Sequence, residues 1–328
     1  MPVDNLIERA VSLLQAGELV GIPTETVYGL GADAANPEAV AKIFAAKGRP
    51  ADHPLIVHLP GHDWLARWAV DVPDIAWELA EQFWPGPLTL ILKRAPGVPD
   101  AVTGGQDTVG LRVPGHPLAL DLLRAYAAAG GGKNGMAGIA APSANRFGRI
   151  SPTTAEHVRD ELGDRVPLVL DGGVCPVGIE STIIDLSRGV PVLLRPGHIR
   201  PEQIEVVAGC PVRGPDGAAP RVSGALESHY APATPVRLVA PEALAATLRD
   251  LRGQGKRAAV LARSVSPGLS GMAKRWVQAP ADPAGFAHDL YANLRHLDVA
   301  GADCIVIEDI PSAPDWDAVA DRLRRSAA

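Results

Sequence analysis

The sequence contains little that would support a disulfide-rich, metal-binding or membrane protein. Its three cysteines are far apart and form no Cys-x-x-Cys pair, so we expect neither disulfides nor a cysteine zinc site. Pro60, between His58 and His62, prevents the helix that would place both histidines on one face. No apolar run approaches the roughly 18 residues of a membrane span. Acids interrupt the N-terminal MPVDNLIERAVSLLQAGE, which argues against a signal peptide. These absences predict a reduced protein of the cytoplasm.

An excess of positive charge is also missing. Lys and Arg total 31 against 37 Asp and Glu, which gives a formal net charge of −6. This balance argues against a general nucleic-acid coat protein, but it is compatible with a local basic pocket for a phosphorylated small molecule. The 328 residues, 47% of them hydrophobic, are typical of a globular protein with two domains.

The hydrophobic pattern divides the chain into three parts. Residues 1–205 predict a mixed α/β domain, and because its strands and helices do not alternate cleanly we expect a twisted sheet that is not purely parallel. Residues 206–234 are rich in Gly, Pro, Ala and Ser and predict a linker. Residues 235–328 alternate strand and helix patterns, which predicts a small βαβ-type, Rossmann-like domain. Strand candidates of the first domain include GELVGIPT, HPLIVHL, LTLILKR, VPLVLDGG, STIIDLS and PVLLRP.

Two glycine-rich segments resemble the sequence patterns of phosphate-binding loops. GLGADA at 29–34 matches G-x-G-x-x-A, but the helix-start signal at Asn36-Pro37 comes several residues too late to place a helix N-terminus at the glycines. Asp52 precedes the second strand, whereas a ribose-binding acid should follow it. GGGKNG at 130–135 lacks the first glycine and the Ser or Thr of a P-loop. We therefore do not expect dinucleotide binding.

Four segments place polar chemistry at strand ends or in the loops beside them, where open α/β sheets bind ligands. Lys47 and Arg49 are two apart on a predicted loop and can converge on one phosphate chain. Thr108 and Arg112 share one face of a strand, and an arginine there requires a carboxylate or phosphate partner. Each segment alone also fits a solvated helix end, a turn or a loop cap. The segments are PTETVY at 23–28, KGRPADHP at 47–54, TVGLRVP at 108–114, and PSAN with SP within 142–152.

The other residues of these segments add hydroxyl and amide groups. Ser143 and Asn145 can present both groups to one ligand. Thr24 and Thr26 alternate with Glu25, which predicts that the hydroxyls share one face while Glu25, a structural residue, points to the other. The set contains no evident covalent nucleophile or general-base pair and suits an anionic polyphosphate plus a small amino or carboxylic acid. It favours nucleotidyl transfer by positioning and charge neutralisation, with Mg²⁺.

Seven ordered motifs resemble those of one known family. They are PTETVYGLG, KGRP…HPLIVH, WPGPLT, DTVGLRVPGHPLAL, APSAN…SPT, GIESTIIDL and LLRPG. In this order they resemble the YrdC-like family in its two-domain form. The resemblance is dense over residues 1–205 and looser beyond, where His229-Tyr230-Ala231-Pro232 ends the linker. It implies a twisted α/β sheet with a large, open, positively charged cavity.

The resemblance implies a nucleotidyltransferase. Members of this family are expected to convert L-threonine, bicarbonate or CO₂, and ATP into threonylcarbamoyl-AMP and pyrophosphate. The product serves the formation of N6-threonylcarbamoyladenosine (t6A37) in tRNAs that read ANN codons. The resemblance also implies Mg²⁺ with the ATP and a tRNA threonylcarbamoyl-transfer complex as a partner, and it leaves direct tRNA binding open.

The resemblance also assigns roles to residues. Arg112 would pair with the threonine carboxylate. The threonine set is Thr26, His58, Arg112, Ala141 through its backbone, and Ser181. The ATP set is Lys47, Arg49, His53, Thr108, Ser143, Asn145, Ser151, Arg195 and Tyr230. The catalytic members, which would hold the phosphates and magnesium, are Lys47, Arg49, Ser143 and Asn145. No separate protein metal site is expected.

Three features depart from the family pattern. His53 stands where many relatives carry Asn, and Glu227 and Ser228 replace basic linker residues. The GGGKNG insertion has no functional account. Two rival functions follow. A non-catalytic RNA-binding module of the same fold would need a continuous basic face, which the net charge of −6 disfavours. A carbamoyl-transfer relative would carry acylphosphatase, zinc-finger or metal-binding segments, which the sequence lacks.

Overall fold

The computed structural model describes residues 3–224, 229–264 and 268–328, so that Glu227 and Ser228 lie outside the described residues. The chain divides into two compact units. The first comprises Met1–Phe147, Pro152–Pro176 and Glu180–Ala225, and the second comprises Gly148–Ser151, Val177–Ile179 and Leu226–Ala328. Within the described ranges, every helix is too short or too polar to cross a membrane.

The first unit is built from short strands and mostly short helices. Its strands are β1 (Val20–Ile22), β2 (Gly29–Asp33), β3 (Ile56–His58), β4 (Leu88–Lys93), β5 (Thr108–Arg112), β6 (Ile139–Ala140), β7 (Leu168–Val169), β8 (Thr182–Asp185) and β9 (Val192–Arg195). Its helices are α1 (Val3–Gln15), α2 (Pro37–Lys47), α3 (Leu65–Trp68), α4 (Asp74–Phe83), α5 (Asp100–Thr103), α6 (Pro117–Ala128), α7 (Ala155–Leu162) and α8 (Pro201–Ala208).

These strands form one mixed sheet in the order β7-β1-β2-β6-β3-β5-β4-β8-β9. The pairs β1/β7, β3/β5 and β4/β8 are parallel, whereas β1/β2, β2/β6, β3/β6, β4/β5 and β8/β9 are antiparallel. The predicted mixed α/β fold is therefore confirmed.

The two faces of this sheet are covered unequally. Val57, Leu90 and Leu111 lie on one face and belong to the larger hydrophobic core. On the other face, β1 and β6 pack Val20 and Ile139 against α1 and α6 in a second core. The register aligns His58 with Ile139 and with Arg112, so this second face continues across β3 and β5 with polar residues. This polar half of the face is the floor of a candidate site.

The GLGADA segment forms β2, which the sequence had not predicted as a strand. A Cβ on Gly31 would lie 2.3 Å from Ile22 Cδ1 and 3.0 Å from Ile139 Cγ2. A side chain at this position would therefore displace the apolar residues that pack against α1 and α6. Close packing accounts for the glycine, and the segment does not form a phosphate-binding loop.

Helix α2 begins and ends at the residues that its sequence signals indicate. The Asn36 side chain accepts a hydrogen bond from the Glu38 N–H, and Pro37 occupies the first turn. Gly48 ends the helix in the left-handed conformation, with φ of 63°. Lys47 is therefore the last residue of the helix and not part of a loop, and Gly48 turns the chain so that Arg49 follows it.

The second unit contains a parallel sheet in the order β10-β13-β11-β12. Its strands are β10 (Val236–Val239), β11 (Ala258–Ala262), β12 (Arg275–Gln278) and β13 (Cys304–Glu308), and its helices are α9 (Leu244–Gly253), α10 (Pro283–Asp298) and α11 (Asp317–Ser326). All pairings are parallel, as predicted for a βαβ-type domain. The strand β12 was not predicted, because its sequence RWVQ is short and half polar.

Candidate active site

Arg112, the last residue of β5, is the centre of a buried polar cluster on the polar half of the sheet face. Its Nε donates to the Gly86 carbonyl at 3.2 Å, and its Nη1 donates to Thr26 Oγ1 at 3.0 Å. Its Nη2 lies 2.6 Å from Glu25 Oε1. Only 4% of the Arg112 side chain is exposed, so the guanidinium has a fixed orientation toward its partners.

The segment 23–28 forms a turn between β1 and β2 and not the end of a strand. Thr24 Oγ1 accepts hydrogen bonds from the Thr26 and Val27 N–H groups at 3.2 Å, and it donates to the Val27 carbonyl at 2.6 Å. Strand alternation does not apply to this turn, so the prediction that Glu25 points away from Thr26 is wrong. Both side chains reach the same guanidinium, that of Arg112.

The remaining threonine-set residues lie on neighbouring strands. His58 pairs with Arg112 across β3 and β5, and the Ala141 N–H donates to the Ile56 carbonyl at 3.0 Å. Ser181 immediately precedes β8, and its hydroxyl lies 2.8 Å from Thr89 Oγ1 in β4. The strand order β6-β3-β5-β4-β8 therefore brings these residues to one region of the sheet.

Thr89 is a residue of this cluster that the sequence analysis missed. It is fully buried, and its hydroxyl contacts Ser181. A signal was present, because Thr89 is the one hydroxyl within the apolar strand segment LTLIL. A buried hydroxyl in such a strand requires a partner on the face it occupies.

His58 is buried in a way that keeps its imidazole neutral. Burial, followed by the neighbouring Arg112 charge, lowers the pKa of His58 from 6.5 to about 3. Its Nδ1 is buried and makes no hydrogen bond within the described structure. A neutral imidazole can donate a hydrogen bond to a ligand, or accept one from it, without adding a charge to the site.

The lowered pKa of His58 predicts an acid-dependent loss of stability. Below pH 6.5 the unfolded chain binds a proton at this position, and the folded chain does not until the pH approaches 3, so stability falls as the pH falls through this window. We expect wild type to lose about 3 kcal/mol more than His58→Gln between pH 6.5 and pH 4. Urea unfolding at both pH values measures this difference. The His62→Gln variant, at an exposed position, should behave as wild type does.

Lys47 fixes the loop that carries Ser143 and Asn145. Its Nζ donates to the Ser143 carbonyl at 2.5 Å and to the Asn145 carbonyl at 2.6 Å, and only 3% of the residue is exposed. Burial, then the charge of Arg49, holds the pKa of Lys47 well below its usual value. The Lys47 carbonyl also accepts a hydrogen bond from the Phe147 N–H at 2.8 Å. Both the side chain and the backbone of Lys47 therefore join the end of α2 to this loop.

Arg49 and Arg195 converge on Ser223. Arg49 Nη1 donates to Ser223 Oγ at 3.4 Å, and Arg195 Nη1 donates to the Ser223 carbonyl at 2.9 Å. Arg195 also donates to Ser181, from Nε to the carbonyl and from Nη2 to the hydroxyl, each at 3.0 Å. Ser181 therefore joins the threonine set to the ATP set. Ser223 was missed because it lies in the linker 206–234, which was expected to reach over the active site through Tyr230 alone.

The other predicted ATP-set residues are more scattered. Thr108, at the start of β5, and Ser223 line the same narrow cavity of about 10 Å³. His53 packs edge-on against Phe147, with ring centroids 5.4 Å apart, and partial burial lowers its pKa from 6.5.

Ser151 and Tyr230 belong to the second unit. Both are buried, and the Tyr230 ring lies 5.6 Å from that of Tyr291 and 4.2 Å from that of His229. Tyr230 also has a positive φ of 62°, which is rare for a residue with a side chain. The assignment of both residues to ATP stays a prediction.

A larger cavity of about 590 Å³ in the first unit is a poor candidate for the predicted chemistry. Of the residues predicted to bind threonine or ATP, Thr108 alone is among those that line this cavity. Its cations are engaged within the protein, because Lys93 pairs with Asp71 at 3.3 Å and Arg94 pairs with Asp100. The cluster around Arg112 and Ser181 gathers more of the predicted residues and is the better candidate.

Comparisons with known proteins show the family of the chain. A Sua5/YciO/YrdC family model, described as "Telomere recombination", matches residues 12–197. A second model, described as "Threonylcarbamoyl-AMP synthase, C-terminal domain", matches residues 199–328. The chain belongs to the threonylcarbamoyl-AMP synthase family.

Individual members of this family match over nearly the whole chain. The threonylcarbamoyl-AMP synthase of Bacillus subtilis is 40% identical, covering 99% of this chain and 93% of that protein. The one from Pyrococcus abyssi is 38% identical, covering 98% and 94%. The crystal structure of P. abyssi Sua5 complexed with L-threonine superposes with a TM-score of 0.89 at 37% identity, covering 98% and 94%. A variant of that protein with a His-Tyr pair changed to two alanines superposes with a TM-score of 0.88 at 36% identity.

Proposed function

We propose that the chain is a threonylcarbamoyl-AMP synthase that uses L-threonine, CO₂ or bicarbonate, and ATP. The observation that carries this proposal is that Ser181, a neighbour of the Arg112 cluster in the sheet, also contacts the arginine pair at Ser223. Arg112, with Thr26, offers a site for an amino-acid carboxylate and hydroxyl. Arg49 and Arg195 converge on Ser223, and Arg195 also donates to the Ser181 hydroxyl of the threonine set. Full-length relatives carry the name of this activity.

In the proposed reaction the threonine amine takes up CO₂ to form a carbamate. A carbamate oxygen then attacks the α-phosphorus of ATP, the bond from this phosphorus to the bridging oxygen breaks, and pyrophosphate leaves. Arg49 and Arg195 would replace their bonds to Ser223 by bonds to phosphate oxygens. Lys47 would keep the Ser143 and Asn145 loop in place. The contribution of the protein is positioning and neutralisation of charge, since no covalent intermediate is needed.

Mg²⁺ would accompany the ATP. In the part of the chain that the structure describes, no cluster of three His, Cys, Asp or Glu side chains could hold a metal ion. The donors next to the proposed phosphate position are the hydroxyl of Ser143 and the amide of Asn145. This set fits an ion carried mainly by substrate phosphates and water, which is how Mg²⁺ is commonly bound. When bound, the ion would neutralise phosphate charge.

His229 and Tyr230 are the one His-Tyr pair in this sequence. A His-Tyr pair was also changed in the P. abyssi variant, and we propose that His229 and Tyr230 are its counterpart here. We propose that Tyr230 acts on the nucleotide, as the family resemblance implies. The tRNA threonylcarbamoyl-transfer machinery is the proposed consumer of the product, because a mixed carbamoyl–phosphate anhydride is reactive and requires prompt transfer.

Pyrophosphate release tests the proposal. Purified protein is supplied with ATP, Mg²⁺, L-threonine and bicarbonate, and each component is omitted in turn. We expect release only with all four, together with the mass of threonylcarbamoyl-AMP. Release that ignores threonine would point to another acceptor. Folded protein without release, combined with RNA binding in the absence of ATP, would favour the non-catalytic RNA-binding module instead.

A further inference from the structure

Glu25 and Arg112 form a buried ion pair that the proposed reaction leaves without a role. Their side chains are 10% and 4% exposed. Both carboxylate oxygens and Arg112 Nη2 are buried and lack a directed hydrogen bond, although Oε1 and Nη2 are 2.6 Å apart. A buried ion pair rarely stabilises a protein more than apolar packing would. The pair therefore suggests a function.

We propose that Glu25 is a specificity-determining residue that makes the site select an α-amino acid over a simple carboxylic acid. The inference rests on the proposed function in one respect, that Arg112 is the partner of the substrate carboxylate. Glu25 acts through its charge beside that anchor. It needs no direct contact with the substrate, which is consistent with the burial of its oxygens.

Around Arg112 this pair is the source of charge, while Arg195 lies at the Ser181 end of the threonine set. His58 is neutral near pH 7, because burial and the Arg112 charge lower its pKa to about 3. The neighbouring Cys175 thiol is neutral as well, since burial raises its pKa to about 12. The other members of the set are hydroxyl residues and the backbone of Ala141. The anchor is therefore a positive group paired with a negative one, with a net charge of zero.

A site of this kind treats two ligand classes differently. A zwitterion brings a carboxylate, which Glu25 repels, and an ammonium, which Glu25 attracts, so the two effects largely cancel. A carboxylate that lacks the amine suffers only the repulsion. Glu25 thus provides an element that disfavours the wrong ligand, a common source of specificity. Removing its charge should improve binding of the plain carboxylate and leave binding of the zwitterion nearly unchanged.

Direct binding tests this inference. Isothermal titration with L-threonine and with (R)-3-hydroxybutanoate, which is threonine without its amine, gives two dissociation constants for each protein. The selectivity ratio is the dissociation constant of (R)-3-hydroxybutanoate divided by that of L-threonine. We expect Glu25→Gln to lower this ratio by about tenfold or more relative to wild type. The ratio does not depend on the fraction of folded protein, so partial destabilisation of the variant does not affect it.

Asp185→Asn serves as the matched control, because Asp185 is also a fully buried carboxylate of the first unit but only holds the turn to Ser187 and Arg188. It should leave the ratio unchanged. Threonine binding with an unchanged ratio in Glu25→Gln would overturn the inference and leave the proposed function intact. Threonine binding without turnover would overturn the proposed function only. Wild type that binds no threonine would overturn both.

Discussion

Replacing Arg112 by alanine is expected to lower kcat/KM for L-threonine by about 100-fold or more, with KM for ATP changed less than about threefold. In the proposed site Arg112 would supply the charged hydrogen bonds to the substrate carboxylate, and its Nη1 already donates to Thr26 Oγ1. Two hydrogen bonds to a charged group are each worth about 1.5–3 kcal/mol, which sets the scale of the loss. Pyrophosphate-release kinetics with threonine and ATP varied separately measure both effects.

The same replacement also removes the counter-charge of a buried carboxylate. Glu25 would remain in the interior without a partner, which is expected to cost about 3–5 kcal/mol of stability. The double variant Glu25→Gln/Arg112→Ala separates the two losses. It should recover thermal stability but not threonine use. If Arg112→Ala used threonine as wild type does, Arg112 would be a structural residue and the carboxylate anchor would lie elsewhere.

Much of the first unit was predictable because its strands are dense apolar runs. The strand candidates LTLILKR and STIIDLS contain β4 and β8, and the alternation in TVGLR places Val109 and Leu111 in the core and Thr108 and Arg112 on the opposite face. Such strands can be predicted from local periodicity, because the alternation within the strand is sufficient to identify the residues that face the core.

Predictions failed where tertiary packing decides the structure. The strand β2 has two glycines in five residues, and its assignment depends on the close approach of Ile22 and Ile139 to Gly31. The prediction for Glu25 assumed strand alternation, but the hydroxyl of Thr24 closes a turn there. Turn chemistry of this kind competes with strand geometry and is not visible in a hydrophobic pattern.

The sequence of the GGGKNG insertion is similar to a phosphate-binding loop, but in the structure its glycines serve packing against Tyr126. The Gly132 N–H donates to the Tyr126 hydroxyl at 3.0 Å. A Cβ on Gly131 would lie 2.5 Å from the Tyr126 ring. The glycines allow the loop to cross closely over a buried tyrosine. Its lysine gives no reason to propose phosphate binding.

Members of the candidate site differed in how visible they were. Cations at strand or helix ends, such as Lys47 and Arg112, stand out because a charge next to apolar residues requires a partner. Ser223 does not, since its significance depends on contacts with Arg49 and Arg195, which are 174 and 28 positions away in the chain. Such contacts are a property of the fold and have no local sequence signal.

Replacing Lys47 by methionine is expected to lower kcat/KM for ATP by about 100-fold, with KM for threonine changed much less. Methionine keeps the length and apolar character of the side chain, so the change removes mainly the N–H donors. The carbonyls of Ser143 and Asn145 then lose the hydrogen bonds that hold them 2.5 and 2.6 Å from Nζ. The loop that presents the predicted phosphate-binding groups would no longer be fixed.

A matched control lies in the same helix. Lys42 is 44% exposed and pairs with Glu18 at 2.8 Å on the surface, where such a pair contributes at most about 1 kcal/mol. Lys42→Met should therefore retain wild-type kinetics with both substrates. ATP kinetics in Lys47→Met that match those of Lys42→Met would remove Lys47 from the site.

The pattern of loss also distinguishes the two roles that Lys47 could have. If the lysine only contacted phosphate, its loss would weaken ATP binding, and a raised ATP concentration would restore the rate. A lysine that fixes the Ser143 and Asn145 loop is required for the geometry of the transition state, so saturating ATP would not restore kcat. Because Nζ is buried and bonded to two carbonyls, we expect the second result, with kcat reduced at saturating ATP. We therefore propose that Lys47, at the end of α2, contributes to catalysis through the loop that it holds.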